Sequence, residues 1–244
     1  MIVVHSVYDR QTRPYMDRCW QLMSERASDD ALAFRAYEIT SHGSSGHAHG
    51  LQQALQSANP DDLNVFCDSD VAVIKKGWDQ VLRDAARDGL HVVGAPYEDV
   101  GGLCSGSGPV QTYKKYPSFV FLAAMPGTPI KKLNPMPNKG QTLAISNQKL
   151  SQRYNLPMYS QLLCDVGWQL PQFLEDWSLS SFVFENTRLR DWAGCKACDK
   201  SQELYLLNGE PFLAHQRSSS KIPYMEAQSR TFYSAVDLLL LGDV

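Results

Sequence analysis

Two aspartates, Asp68 and Asp70, flank Ser69 directly after the mostly apolar run Leu63-Asn64-Val65-Phe66-Cys67. Two carboxylates at the end of a buried segment are unfavourable. Each raises the other's proton affinity, and both lose hydration. A divalent cation removes that cost: magnesium or manganese takes oxygen ligands from one or two carboxylates together with substrate phosphates. The chemistry open to this pair is metal-assisted handling of a phosphorylated substrate. A turn with two solvated acids is the ordinary alternative, and the pair alone does not separate the two. Six histidines stand at positions 5, 42, 47, 49, 91 and 215. His91 opens an apolar run and reads as structural. His47 and His49 sit at a helix start, where they could meet phosphate or merely cover a loop. His215 follows Leu213-Ala214 and precedes a polar run, the profile of a residue at the edge of a site.

The elements that must position these residues read as alternating strands and helices. Residues 2–7 form a buried apolar run of strand type. Thr12 and Pro14 open a helix with Tyr15, Cys19, Leu22 and Met23 on one face. Residues 32–39 read as the next strand, and a polar, glycine-rich loop spans 41–47. A helix then carries Ala48, Leu51, Leu55 and Ala58 at helical spacing. Residues 63–67 are the third strand. It delivers the acids to its carboxyl end, where open α/β sheets bind ligands. Val71 and Val73 resume the apolar pattern. Gly77-Trp78 opens a helix with Trp78, Val81, Leu82 and Ala85 inward, and Gly89 ends it. Residues 91–95 are the fourth strand. This alternation predicts an α/β fold with a mostly parallel central sheet flanked by helices.

Past Pro96 the pattern changes. Glycines crowd residues 101–108 too densely for regular structure. Residues 118–125 read as a strand, 126–140 as an exposed loop, 160–177 as helical, and 222–244 as a helix whose Leu238–Leu241 turn is buried. One domain over 1–244 is expected.

Composition narrows the function. The formal net charge is -3 with no basic block, which excludes nucleic acid as an expected partner. The first residues lack the regions of a signal peptide, and no apolar run reaches the roughly 20 residues of a membrane span. A cytoplasmic protein, at most peripheral to a membrane, is expected. Its six cysteines are then reduced thiols, and Cys195/Cys198 form a lone CxxC without the second pair of a structural zinc site.

The segment Asn64 to Val73, followed by Gly77-Trp78, resembles the DxD region of GT-A glycosyltransferases, of the family 2-like nucleotide-diphospho-sugar transferase kind. The segment Gly43-Ser44-Ser45-Gly46-His47 resembles the loop and helix start set against the nucleotide-sugar in that fold. The segment from Gly209 through His215 and Arg217 resembles its late histidine segment. The resemblance implies manganese or magnesium held by Asp68, Asp70 and His215. It implies a UDP- or GDP-linked sugar donor met by Ser44, Ser45, His47, Asp68, Ser69, Asp70 and Arg217, and a carbohydrate or other hydroxyl acceptor. Residues 1–100 would be the nucleotide-sugar half and 101–244 the acceptor half. An inverting transfer needs a general base. Asp165 resembles the acidic segment near the acceptor in inverting relatives, and Glu175-Asp176 resembles the acidic pair that carries the base in many GT-A enzymes. Trp168 and Trp177 could stack on a sugar, although packing is the commoner use.

Two other readings use the same residues. A haloacid-dehalogenase-type phosphatase also places DxD after a strand, but a threonine or valine usually stands two residues past its second acid, where this chain has Ala72. A non-catalytic sugar-binding module would have no need of the acidic pair with His215.

Overall fold

The computed structural model describes residues 1–29, 31–39, 43–96, 104–105, 116–136, 143–144, 161–164, 166–192, 202–216 and 225–241. The chain begins β1 (Ile2–Tyr8), α1 (Arg13–Arg26), β2 (Leu32–Glu38), α2 (Gly43–Ser57), β3 (Leu63–Asp68), β4 (Val71–Val73), α3 (Trp78–Arg87) and β5 (Val92–Pro96). There follow β6 (Cys104–Ser105), β7 (Pro117–Ala124), β8 (Leu143–Ala144), β9 (Gln161–Cys164), α4 (Leu170–Asp176) and β10 (Ser181–Val183). The last elements are β11 (Glu185–Arg188), α5 (Leu189–Trp192), β12 (Gln202–Leu207), β13 (Glu210–Gln216) and α6 (Met225–Leu241).

A six-stranded sheet has the order β10-β5-β7-β3-β1-β2. Within it β7 alone is antiparallel to its neighbours. The expected mostly parallel sheet is thus present. Both faces are covered, which is why β1 and β3 read as near-continuous apolar runs. Alternate residues divide between the faces. Val65 and Cys67 point to one side, with Cys19 and Met23 of α1 and Trp78 and Leu82 of α3. Phe66 points to the other, with Leu51 and Leu55 of α2 and Phe173 of α4.

A second, four-stranded sheet has the order β11-β12-β13-β4. Ala72, Leu204 and Ala214 pack under Phe232 and Val236 of α6, while Val71, Val73 and Tyr205 join the core of the first sheet. The chain therefore changes sheets between β3 and β4. A small antiparallel sheet, β6-β9-β8, completes the described strands.

Five expectations change. α2 starts at Gly43, inside the expected loop, because a first helical turn lacks intrahelical partners for its N–H groups in any case and tolerates small polar residues. Cys104 and Ser105 pair with β9 within the glycine-rich stretch, and β9 replaces the start of the expected helix over 160–177. The segment 126–140 is partly pinned, since Thr128, Ile130 and Leu133 are buried. The terminal leucines are helical, but Leu238 and Leu241 face outward. No helix among the described residues is long and apolar enough to cross a membrane.

Candidate metal centre

Asp68 ends β3, and Asp70 stands just before β4. The pair spans the step from the first sheet to the second. β13 runs antiparallel to β4 and sets His215 opposite Val71. The N–H of Gln216 donates to the Asp70 carbonyl at 3.1 Å. This ladder carries a histidine from late in the chain to the acidic pair. His215 Nε2 lies 3.4 Å from Asp70 Oδ1 and 3.9 Å from Asp68 Oδ2. Asp70 and His215 are buried, whereas Asp68 keeps partial exposure. The cluster thus has a closed floor and one open edge.

Two further side chains complete the surroundings. His47 Nε2, on α2, lies 3.1 Å from Asp68 Oδ1. α2 can come this near because Gly50 has no side chain: a Cβ there would lie 2.5 Å from Val7 Cγ1. On the buried side, His215 Nδ1 lies 3.1 Å from Glu203 Oε2. Glu203 is 0% exposed and is the cross-strand partner of His215.

Burial by itself would push the His215 imidazole down. The carboxylates of Asp70 and Glu203 more than reverse that and raise it to about 10. The carboxylates thus stabilise positive charge at this position, which an imidazolium or a bound divalent cation can supply.

One ligand atom each from Asp68, Asp70 and His215 lies within 4.8 Å of the others. Around a single octahedral ion with bonds of roughly 2.1 Å, neighbouring ligands stand roughly 3 Å apart and opposite ones roughly 4 Å. The separations of 3.4 and 3.9 Å fit that range. Two hard carboxylate oxygens with one imidazole nitrogen suit manganese, and magnesium less well. The residues present fit a divalent cation.

The remaining sequence candidates are placed as follows. Ser69 is buried beside the acids, and Ser45 is exposed on the first turn of α2. Ser44 lies in the same turn, its side chain outside the description, and Asp165, Arg217 and the Cys195/Cys198 pair lie outside the described residues. Glu175 and Asp176 end α4, both exposed; Glu175 accepts a hydrogen bond from Tyr116 and Asp176 one from Gln172. Neither belongs to the ligand cluster. His49 turns back to the Ser45 carbonyl at 2.7 Å, leaving His47 as the histidine of α2 that meets the acids.

The sequence reading missed Glu203 and the β12–β13 hairpin that presents it. A signal was available. Asn208-Gly209 connects the strands with both residues at positive φ, 53° and 80°, and Asn-Gly between alternating apolar residues is a strong short-range hairpin mark.

Full-length comparison bears on this geometry. The crystal structure of galactosyltransferase LgtC in complex with donor and acceptor sugar analogues aligns with 100% of this chain and 96% of its own, at a TM-score of 0.50 and 9% identity. The chain shares the α/β fold of that structure. A second LgtC structure, of an active-site mutant, aligns over 96% of each chain with a TM-score of 0.44 and 10% identity. No protein-family model matches the sequence, and no curated protein does. The family 2-like resemblance thus stands on the quoted motifs alone.

Proposed function

We propose that the protein is a divalent-cation-dependent glycosyltransferase that moves a sugar from a UDP- or GDP-linked donor to a hydroxyl of a carbohydrate or related acceptor. The observation that carries this reading is the convergence of Asp68, Asp70 and His215 at the carboxyl end of β3. The full-length fold likeness to a galactosyltransferase supports it over a phosphatase. Residues 1–100 would form the donor half and 101–244 the acceptor half.

Asp68, Asp70 and His215 would hold manganese or magnesium. When bound, the ion supplies positive charge against the diphosphate that departs as the sugar is transferred. Asp70 and His215 are buried, so their contribution is rigid and dry, which strengthens electrostatic stabilisation. Asp68 faces the open edge, where the donor would enter. His47 sits beside Asp68 at that edge and would meet a phosphate oxygen, with Ser44 and Ser45 on the same helix start.

For an inverting transfer, a carboxylate must take the proton of the acceptor hydroxyl. Asp165 is the first candidate. Glu175 and Asp176 follow, on the exposed end of α4.

The test is release of free nucleotide from a panel of UDP- and GDP-sugars, with and without manganese. Metal-stimulated hydrolysis of one donor is expected, and loss of it in Asp70→Asn. Turnover that ignores chelator, or activity on a phosphomonoester alone, would overturn the reading. Anomeric configuration of the product, read by NMR, decides between inversion and retention.

A further inference from the structure

Glu203 takes no part in the cluster described as ligands, yet it is a fully buried carboxylate next to two others. Removing a carboxylate from water is costly unless donors hold it. Glu203 has two of them on Oε2 and a guanidinium charge near Oε1. Tyr205 donates its hydroxyl to Oε2 at 2.6 Å, and Arg188 Nη1 lies 3.8 Å from Oε1. His215 Nδ1 reaches Oε2 at 3.1 Å. Sheet register explains the alignment. Arg188 on β11 pairs with Glu203 on β12, and Glu203 pairs with His215 on β13. His215 in turn pairs with Val71, next to Asp70. One row of side chains thus crosses the sheet, from a cation at its edge to the acidic pair.

We propose that Glu203 is a positioning residue for the metal centre: its Oε2 accepts the Nδ1–H of His215 and so fixes the ring with Nε2 toward Asp68 and Asp70. The proposal rests on the metal reading given above. An imidazole has two chemically similar nitrogens, and the one that binds a metal is set by the hydrogen bond the other makes. Here the ring is 5% exposed, and its Nδ1 side faces Glu203. The Tyr205 hydroxyl holds the carboxylate in turn, and the Arg188 charge lies beside it. Without Glu203 the ring would lose the contact that selects Nε2, and a ring turn would point the wrong nitrogen at the acids.

Manganese affinity of the full chain tests this, using Mn2+ alone, by titration calorimetry on wild type, Glu203→Gln, His215→Ala and the double variant. Glu203→Gln should weaken binding roughly ten- to a hundredfold, the usual cost of losing such a partner. In the His215→Ala background the same change should do nothing further. Equal weakening in both backgrounds would mark a merely structural role and overturn the proposal, as would wild-type affinity in Glu203→Gln. Should that variant fail to fold, wild type labelled with 15N-histidine and loaded with Cd2+ decides. Cadmium coupling at Nε2, with the proton on Nδ1, supports the proposal; ligation through Nδ1 overturns it. Wild type that binds neither ion would instead refute the metal reading itself, and the proposal would fall with it.

Discussion

Gly50→Ala tests how α2 is held at the site. The Cβ of alanine would sit 2.5 Å from Val7 Cγ1, 2.9 Å from Ile39 Cγ2 and 3.3 Å from Val7 Cγ2. Carbon atoms in contact prefer roughly 3.5–4.0 Å, so the shortest approach falls about 1 Å short. Val7 is 4% exposed in the middle of the packing between β1 and α2, and β-branching leaves it few rotamers. It has little room to yield, so the helix must lift. Overpacking of this kind costs about 1–3 kcal/mol. Alanine recovers about 0.5–1 kcal/mol by being a better helix former than glycine. The balance is about 0–2.5 kcal/mol of destabilisation, or a Tm lower by up to roughly 10 °C for a chain of this size. A thermal melt followed by circular dichroism reads it. A Val7→Ala change made alone should also destabilise, by leaving a cavity. Combined with Gly50→Ala it should cost clearly less than the two added, because it removes both Val7 methyls, the shortest clash among them, and leaves only the Ile39 contact at 2.9 Å. A raised Tm in Gly50→Ala, or simple additivity with Val7→Ala, would refute the claim that steric closeness here sets the height of α2.

Other measurements address the site and the core. Asp70→Asn should abolish metal-stimulated donor turnover while leaving the circular dichroism spectrum intact; retained activity in chelated buffer would contradict the assigned role. His215→Ala should weaken manganese binding more than magnesium binding, because the imidazole is the ligand that favours the softer ion; equal losses would argue against ligation. Burial pushes His5 down to about 4, against the smaller upward pull of its bond to Asn64. The fold therefore prefers neutral His5: that stability is complete above pH 6.5 and declines as pH falls through 4, by up to about 3 kcal/mol. A His5 imidazole titrating near 6.5 by NMR would contradict it. Trp78→Ala should cost about 3–5 kcal/mol in urea denaturation, since the ring is 0% exposed and its Nε1–H donates to the Met23 carbonyl at 2.8 Å; a loss below about 1 kcal/mol would mean that this anchor does not hold α3 to α1.

Much of the first sheet was legible because its information is local. Residues 63–67 are an apolar run that ends in acids, and both the strand and its ligand-bearing end follow from that. Trp78 and Leu82 recur at helical spacing, and α3 buries both. The second sheet was not legible in the same way. β4 is three residues long, below what a pattern can establish, and only pairing with β13 makes it a strand. His215 carries a site-edge profile, but its register against Val71 is a long-range fact. Glu203 looks like any polar residue in an alternating strand until its neighbours are known. Gly50 reads as a weak helix residue, and only the presence of Val7 beneath it shows its use. The base remains with the sequence alone, because Asp165 lies outside the described residues and neither Glu175 nor Asp176 joins the cluster.

The ladder between β4 and β13 also orders events during synthesis. From Asp70 to His215 the ribosome adds 145 residues, which takes roughly 7–30 s at bacterial and eukaryotic speeds of about 5–20 residues per second. Throughout that interval β4, an edge strand paired only with β13 among the described strands, has no partner. The nascent chain carries two carboxylates without their imidazole. A chain interrupted before the hairpin emerges can build much of the first sheet, yet it carries only two of the three candidate ligands. Completion of the centre is thus tied to translation of the β12–β13 hairpin, and truncated products are left with an acidic pair that cannot be closed.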